Sequence, residues 1–127
     1  MDIKIDNPIR VGMSLIEFDD RIPSIKFSVE LCVEKFEFSF SVNMTCWIEC
    51  AVLDTFVDML KRGRIARIQD MNNDFSLVFD CENNKLVWSC VKRDVSGNVI
   101  NTGGEEALAD GAMATVLQEF ENYPKWW

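Results

Sequence analysis

Alternating apolar and polar positions in the first third of the chain predict paired β-strands. From Ile25 to Glu34 the odd positions are apolar and the even positions are mostly polar. The alternation continues from Phe36 to Asn43 with apolar residues at even positions, which fits a two-residue loop at Glu34-Lys35. A four-residue loop of the same parity is the alternative, because Glu-Lys is unfavourable in a type I′ turn. The two-residue loop predicts the pairs Val33/Phe36, Leu31/Phe38, Val29/Phe40 and Phe27/Val42.

A further strand is predicted ahead of this hairpin, from Ile9 to Phe18. Its apolar positions alternate along one face, and they are Ile9, Val11, Met13 and Leu15. The polar stretch from Asp19 to Ser24, which contains Pro23, is expected to turn the chain into the next strand.

The spacing of apolar residues becomes helical after this hairpin. Four residues recur at i, i+3, i+4 and i+7, namely Leu53, Phe56, Val57 and Leu60. Gly63 is expected to end this helix in a left-handed conformation. A second amphipathic helix is predicted from about Leu108 to Asn122, ahead of Pro124. The inner face of this second helix consists of Met113, Val116, Leu117 and Phe120.

The region between the two helices has the character of further strands. Ile65 to Gln69 is one strand, and a short strand from Val99 to Thr102 is expected to end at Gly103-Gly104. Between them, a second hairpin is predicted around a two-residue loop at Asn83-Asn84. This loop predicts the pairs Leu77/Cys90, Phe79/Trp88 and Cys81/Leu86.

The order of these elements predicts the fold class. With 127 residues, 48% of them hydrophobic, the chain is expected to form a single domain over residues 1–127. Hairpins interrupted by two helices, without a βαβ rhythm, favour an α+β protein with antiparallel strands. The expected architecture is a two-layer sandwich, in which two helices pack on one face of a twisted antiparallel sheet of about six or seven strands.

Charge and the absence of histidine change the functional picture. The chain has 21 acidic and 13 basic residues and no histidine, giving a formal net charge of −8. Catalysis near neutral pH usually employs an imidazole, so this composition favours binding over catalysis. An acidic surface attracts basic protein partners and disfavours nucleic acid and anionic membranes. Because no segment resembles a membrane span or a secretory signal, we expect a cytoplasmic protein.

The cysteines and the short motifs indicate no metal site, catalytic site or cofactor site. The five cysteines are an odd set without C-x-x-C spacing, and we expect them to be reduced thiols that bind no metal. The chain contains no glycine-rich phosphate loop and no nucleophile elbow. We therefore predict no catalytic residues and no cofactor. The cysteines are Cys32, Cys46, Cys50, Cys81 and Cys90.

Pairs of acidic residues are the candidate partner-binding residues. Asp54 and Asp58 share the polar face of the first predicted helix, where Arg62 can offset the charge of Asp58. Such carboxylates do acid–base work when a cleft holds them together, but they are more commonly solvated charges. The remaining candidates are Asp19, Asp20, Glu105 and Glu106.

Three stretches of the chain resemble a known family. They are Cys46-Trp47-Ile48-Glu49-Cys50 running into Leu53-x-x-Phe56-x-x-x-Leu60, then Asp70-Met71-x-x-x-Phe75-Ser76-Leu77, and finally Leu117-x-x-Phe120-x-x-Tyr123-Pro124-x-Trp126-Trp127. Over roughly Phe27 to Trp127 the chain is similar to the small bacterial immunity proteins of the WapI type. Members of that family are typically encoded beside polymorphic or contact-dependent toxins. The resemblance implies a cytosolic antidote that binds and blocks a toxin domain, and it transfers no catalytic or binding residue.

The resemblance and the charge together predict a basic toxin domain as the partner of a monomer or weak homodimer. The alternatives are a small-ligand-binding or assembly module and a carboxylate-based enzyme. A large polar-lined pocket holding two or more candidate acids would favour the enzyme, whereas a flat acidic face would favour the immunity protein. The C-terminal Trp126-Trp127 is expected to clamp the last helix onto the core rather than to form an interface.

Overall fold

A computed structural model describes residues 2–123 of the chain. Within that range the chain forms eight strands and two helices. In chain order the elements are β1 (Ile3–Ile5), β2 (Arg10–Asp19), β3 (Ser24–Lys35), β4 (Phe38–Glu49), α1 (Cys50–Lys61), β5 (Ile65–Gln69), β6 (Phe75–Asp80), β7 (Lys85–Arg93), β8 (Val99–Ala107) and α2 (Ala112–Asn122). The predicted clamp at Trp126-Trp127 lies outside the described residues.

The strands form two antiparallel sheets of four strands each. The first sheet has the order β1-β2-β3-β4 and the second has the order β5-β6-β7-β8, so each is a simple meander. The predicted α+β class with antiparallel strands is confirmed, but the predicted single sheet of six or seven strands is wrong. Alternation shows which face of a strand is buried and not which strand lies beside it. Here β4 and β5, which flank α1, each form the edge of a separate sheet.

One continuous core joins both sheets and both helices. Phe40 of β4 and Trp88 of β7 bring the two sheets together, with ring centroids 5.2 Å apart. The ring of Phe56 in α1 lies 5.8 Å from that of Phe79 in β6 and 4.8 Å from that of Phe120 in α2. Helix α1 also contacts β5, whereas α2 contacts β1 of the first sheet. The helices therefore pack against both sheets, and not on one face of a single sheet as predicted.

The first hairpin has the predicted faces but a different register. The turn consists of Phe36-Glu37, two residues later than the predicted Glu34-Lys35, and Lys35 pairs with Phe38. This register extends β4 to Glu49 and places Cys46 and Ile48 in the core. The even shift keeps apolar residues on the inner face, so alternation alone could not detect it. The observed pairs are Val33/Phe40, Leu31/Val42, Val29/Met44 and Phe27/Cys46.

The second hairpin also differs in register from the prediction. Its loop has four residues, from Cys81 to Asn84, and the pairs are Leu77/Trp88 and Phe79/Leu86. The carboxylate of Asp80 closes this loop, because it accepts hydrogen bonds from the backbone N–H groups of Glu82 and Asn83 and from the Asn83 side chain. An Asp at this position favours such side-chain-to-backbone turns over a two-residue loop.

The predicted end of the short strand at Gly103-Gly104 is wrong. Strand β8 runs through both glycines to Ala107 and pairs with β7 along its whole length. A Cβ atom on Gly104 would lie only 2.7 Å from the indole ring of Trp88. The glycine is therefore needed for the close approach of a large side chain, and not for a turn.

The helices largely follow the sequence pattern. Gly63, just after α1, has a φ of 67°, which confirms the predicted left-handed end. Helix α2 begins at Ala112, four residues later than predicted, because β8 is longer and Gly111 precedes the helix with a φ of 81°. Val116 and Phe120 are buried as predicted, and Met113 and Leu117 are half-buried.

Candidate functional site

The groove between α1 and α2 collects two of the six candidate acids. Its volume is about 290 Å³, and it lies beside β1 at the end of the described chain. Apolar side chains and acidic ones line it together. The lining residues are Ile3, Leu53, Asp54, Val57, Asp58, Lys61, Phe120, Glu121 and Tyr123.

The acidic residues of this groove, which we call the α1–α2 groove, are solvated. Asp54 is exposed, and the Asp58 side chain is about half exposed. As the sequence predicted, Asp58 forms an ion pair with Arg62, at 3.1 Å. Lys61 crosses the groove to Glu121 at 3.1 Å. The groove thus combines apolar side chains with three carboxylates, and two of these carboxylates are paired with basic residues. This arrangement suits a basic protein surface, since binding interfaces commonly surround an apolar centre with polar groups.

Tyr123, which lines the groove, has a hydroxyl whose pKa is shifted from its ordinary value. Burial, with a smaller contribution from the charge of Asp2, raises the pKa of the Tyr123 hydroxyl. The ring of Tyr123 lies 6.4 Å from that of Phe27. A phenol with a raised pKa stays neutral at physiological pH, so this residue adds a hydrogen-bonding group and no charge to the groove.

The other four candidate acids lie at separate places on the surface. Asp19 ends β2, where it accepts a hydrogen bond from the Arg21 backbone N–H, and Asp20 is exposed in the following turn. Glu105 and Glu106 lie on opposite faces of β8 because they are neighbours in a strand. The structure therefore does not bring the six predicted residues together into one acidic face.

Both glutamates of β8 are engaged by lysines. Glu105 pairs with Lys85 at 3.4 Å, and Glu106 pairs with Lys35 at 2.6 Å. Glu106 also lines a polar depression of about 460 Å³ beside the start of β2 and the end of β3. A second ion pair in that depression joins Arg10 and Glu34 at 3.4 Å. Its lining thus includes three acidic and two basic residues, and two ion pairs join four of these five.

The five cysteines, all within residues 2–123, form no disulfide bond, and burial governs the titration of the most enclosed ones. Burial, together with the charge of Asp70, raises the pKa of Cys46 to about 12 and that of Cys90 to about 11. Such thiols stay protonated at physiological pH and are poor nucleophiles and metal ligands. Within residues 2–123, no three side chains of the His, Cys, Asp or Glu type are grouped closely enough to hold a metal ion.

Sequence reasoning missed two exposed apolar features. Phe36 at the tip of the first hairpin is fully exposed at 101%, with a φ of 56°, and Phe38 is 67% exposed. Ile100 on the inner face of β8 is 65% exposed. An aromatic residue in a left-handed turn position is uncommon, so the correct hairpin register would have drawn attention to Phe36.

Neither helix in the described part of the chain has the length and apolar character needed to cross a membrane. Comparison with known proteins finds no matching protein-family model, no matching curated protein and no matching solved structure. The resemblance to the immunity proteins of the WapI type thus stays a prediction.

Proposed function

We propose that this protein is a bacterial immunity protein that neutralises a cognate, basic toxin domain by stoichiometric binding. The observation that carries the proposal is the α1–α2 groove, where Asp54, Asp58 and Glu121 surround an apolar floor. The net charge of −8 and the resemblance to the WapI-type proteins support the same conclusion. An acidic antidote accelerates its encounter with a basic toxin and covers the surface with which that toxin contacts its own substrate.

The alternatives have less support in the geometry. The α1–α2 groove holds two candidate acids, as a carboxylate-based enzyme would require, but its floor is apolar and Asp58 is paired with Arg62. At about 290 Å³ it is also at the lower limit of small-ligand sites. A small groove with exposed charges beside its apolar side chains suits a protein partner better than a bound small molecule.

The proposal predicts association kinetics that depend on salt and on these particular acids. Neutralising Asp54 and Asp58 together as Asp→Asn should slow association with the toxin domain several-fold at ~0.05 M salt. At ~0.5 M salt, where the Debye length falls to roughly 4 Å, wild type and variant should associate at similar rates. Dissociation should change much less. Stopped-flow or surface-plasmon-resonance measurements give both rates.

The matched control is the Asp19→Asn/Asp20→Asn variant, which changes the net charge equally at a different place. If the groove binds the partner, this control should retain most of the wild-type association rate. Equal slowing by both variants would show that the whole-molecule charge acts rather than the groove. The functional test is growth of cells that express the toxin domain encoded beside this protein. Absence of rescue together with absence of a 1:1 complex would contradict the proposal.

A further inference from the structure

Strand β4 is an unusually regular and unprotected sheet edge. It pairs with β3 residue by residue from Lys35/Phe38 to Ser24/Glu49, without a bulge. From Phe38 to Ile48 it contains no charged residue, no proline and no glycine. The other edge strands are protected: β1 and β5 are short, and β8 contains Gly103-Gly104 and Glu105-Glu106. Long, uncharged edges of this kind are templates for pairing with another strand.

The free backbone groups of this edge can be identified. At the end of β4 the carbonyl of Trp47 points away from β3, because it accepts a hydrogen bond from the Met71 N–H at 2.9 Å. In an antiparallel ladder, alternate residues direct both backbone groups to the same side. Ser39, Ser41, Asn43 and Thr45 therefore present their N–H and C=O groups outward. Among residues 2–123, none donates or accepts a backbone hydrogen bond at this edge between Phe38 and Cys46.

The sequence of β4 is complementary to itself in one antiparallel register. If Val42 faces Val42 of a second copy, Ser41 faces Asn43 and Ser39 faces Thr45, and all four are residues whose backbone groups point outward. On the inner face the same register places Phe40 opposite Met44 and Phe38 opposite Cys46. Polar side chains thus meet polar ones, apolar side chains meet apolar ones, and no charges oppose one another.

An apolar groove lies along the same edge. Its volume is about 170 Å³, and Val42, Met44, Cys90, Ile100 and Thr102 are among its lining residues. An added strand would place inner-face apolar side chains over this groove and over Ile100, which is 65% exposed. Because Phe38 to Ile48 carries no charge, this edge gives a basic partner nothing to recognise. Two copies of this chain, in contrast, each have a net charge of −8 and repel one another, so an uncharged surface is where they can make contact.

We propose that two copies of this protein associate through β4, antiparallel and centred on Val42, so that the two first sheets form one continuous eight-stranded sheet. The residue pairs Ser41/Asn43 and Ser39/Thr45 carry the intermolecular backbone hydrogen bonds, two to each pair. The interface is small and excludes the α1–α2 groove, so the dimer is weak and each copy keeps its acidic groove exposed. This inference does not depend on the proposed function.

Two variants that differ only at position 41 test the register. Ser41→Lys/Asn43→Lys places lysine opposite lysine twice in the dimer, whereas Ser41→Glu/Asn43→Lys places glutamate opposite lysine twice. Within one chain, position 43 faces Glu30 and position 41 faces Cys32, so both variants fit the monomer. We expect the Lys/Lys variant to dimerise ~10-fold or more weakly than the Glu/Lys variant. Sedimentation equilibrium at low salt measures both dissociation constants, and thermal melting checks the fold.

A backbone variant tests the edge independently of charge. Ser41→Pro removes an outward N–H and leaves the bonds to β3 intact, because proline is tolerated where its nitrogen faces away from the sheet. It should abolish the dimer while the far-ultraviolet circular dichroism stays that of the wild type. A wild-type protein that remains monomeric up to ~1 mM would overturn the proposal. Equal dimerisation of the two position-41 variants would also overturn it. The proposal would also be overturned if the wild type is monomeric and Ser41→Pro instead loses binding to a different protein.

Discussion

At the scale of single residues, the contact between Gly104 and Trp88 explains why two glycines lie inside a strand. The Trp88 indole is 4% exposed and its N–H has no hydrogen-bond partner in the described part of the chain. The ring lies against the backbone at Gly104, where an added Cβ would approach to 2.7 Å. Close packing therefore takes precedence over the hydrogen bond that a buried indole normally makes.

This contact predicts the effect of a single added methyl group. Gly104→Ala should destabilise the protein by about 1–3 kcal/mol, because the indole or β8 must move. In a Trp88→Phe background the same change should cost much less, since the ring atoms that the methyl group meets are removed. Urea denaturation of the two single variants and the double variant gives the coupling energy. An equal cost in both backgrounds would show that the strand backbone, and not the indole, resists the substitution.

At the scale of elements, side-chain hydrogen bonds fix the turns that the hydrophobic pattern leaves undetermined. Asp94 accepts hydrogen bonds from the backbone N–H groups of Ser96 and Asn98 and from the Asn98 side chain, and these bonds hold the turn between β7 and β8. These bonds lower the pKa of the Asp94 carboxyl, and the bond from the Asn98 side chain has the largest effect. Strand β1, with only three residues, was missed because it is too short for its alternation to be recognised.

The packing of α2 predicts a large effect of one truncation. Phe120 is 7% exposed and its ring contacts that of Phe56 in α1. Phe120→Ala should cost about 3–5 kcal/mol in unfolding free energy, because it leaves a cavity between the helices. Gln118→Ala on the exposed face of the same helix is the control and should change stability by no more than about 0.5 kcal/mol. Chemical denaturation measures both, and a near-wild-type Phe120→Ala variant would contradict the described packing of α2.

At the scale of the whole molecule, two buried thiols lie where the sheets meet. Cys46 is in β4 of the first sheet and Cys90 is in β7 of the second. Burial raises the pKa of Cys46 from 9.0 to about 12 and that of Cys90 to about 11. The unfolded chain therefore loses these protons first as the pH rises, and their ionisation favours unfolding.

The resulting pH dependence can be tested directly. The contribution of the protonated thiols to stability is complete below about pH 9 and is lost between about pH 9 and pH 12. Cys46→Val/Cys90→Val should lose less stability over that interval than the wild type does. Lysine and tyrosine titrate in the same pH range in both proteins. The contribution of the thiols is therefore the difference between the stability losses of the two proteins. Identical slopes of unfolding free energy against pH would contradict the burial of these thiols.

The sequence by itself determined the buried faces of both helices and of five strands, which are β2, β3, β4, β6 and β7. Phe27, Phe56, Phe79 and Phe120 were all predicted on inner faces and are all in the core, because periodicity reports burial directly. The acidic character and the Asp58–Arg62 pair were equally readable, since both depend on local spacing.

Only the tertiary structure decided which elements are neighbours. The registers of both hairpins moved by an even number of positions, which leaves most predicted faces unchanged. The exceptions are Phe36 and Phe38, which were predicted opposite Val33 and Leu31 but are exposed at the tip of the first hairpin. The separation of β4 from β5 into two sheets likewise leaves no trace in alternation. The meeting of Asp54 and Asp58 with Glu121 depends on how α1 packs against α2, and the free edge of β4 depends on which strands do not pair. These features arise from contacts between residues distant in sequence, about which the pattern of one segment carries no information.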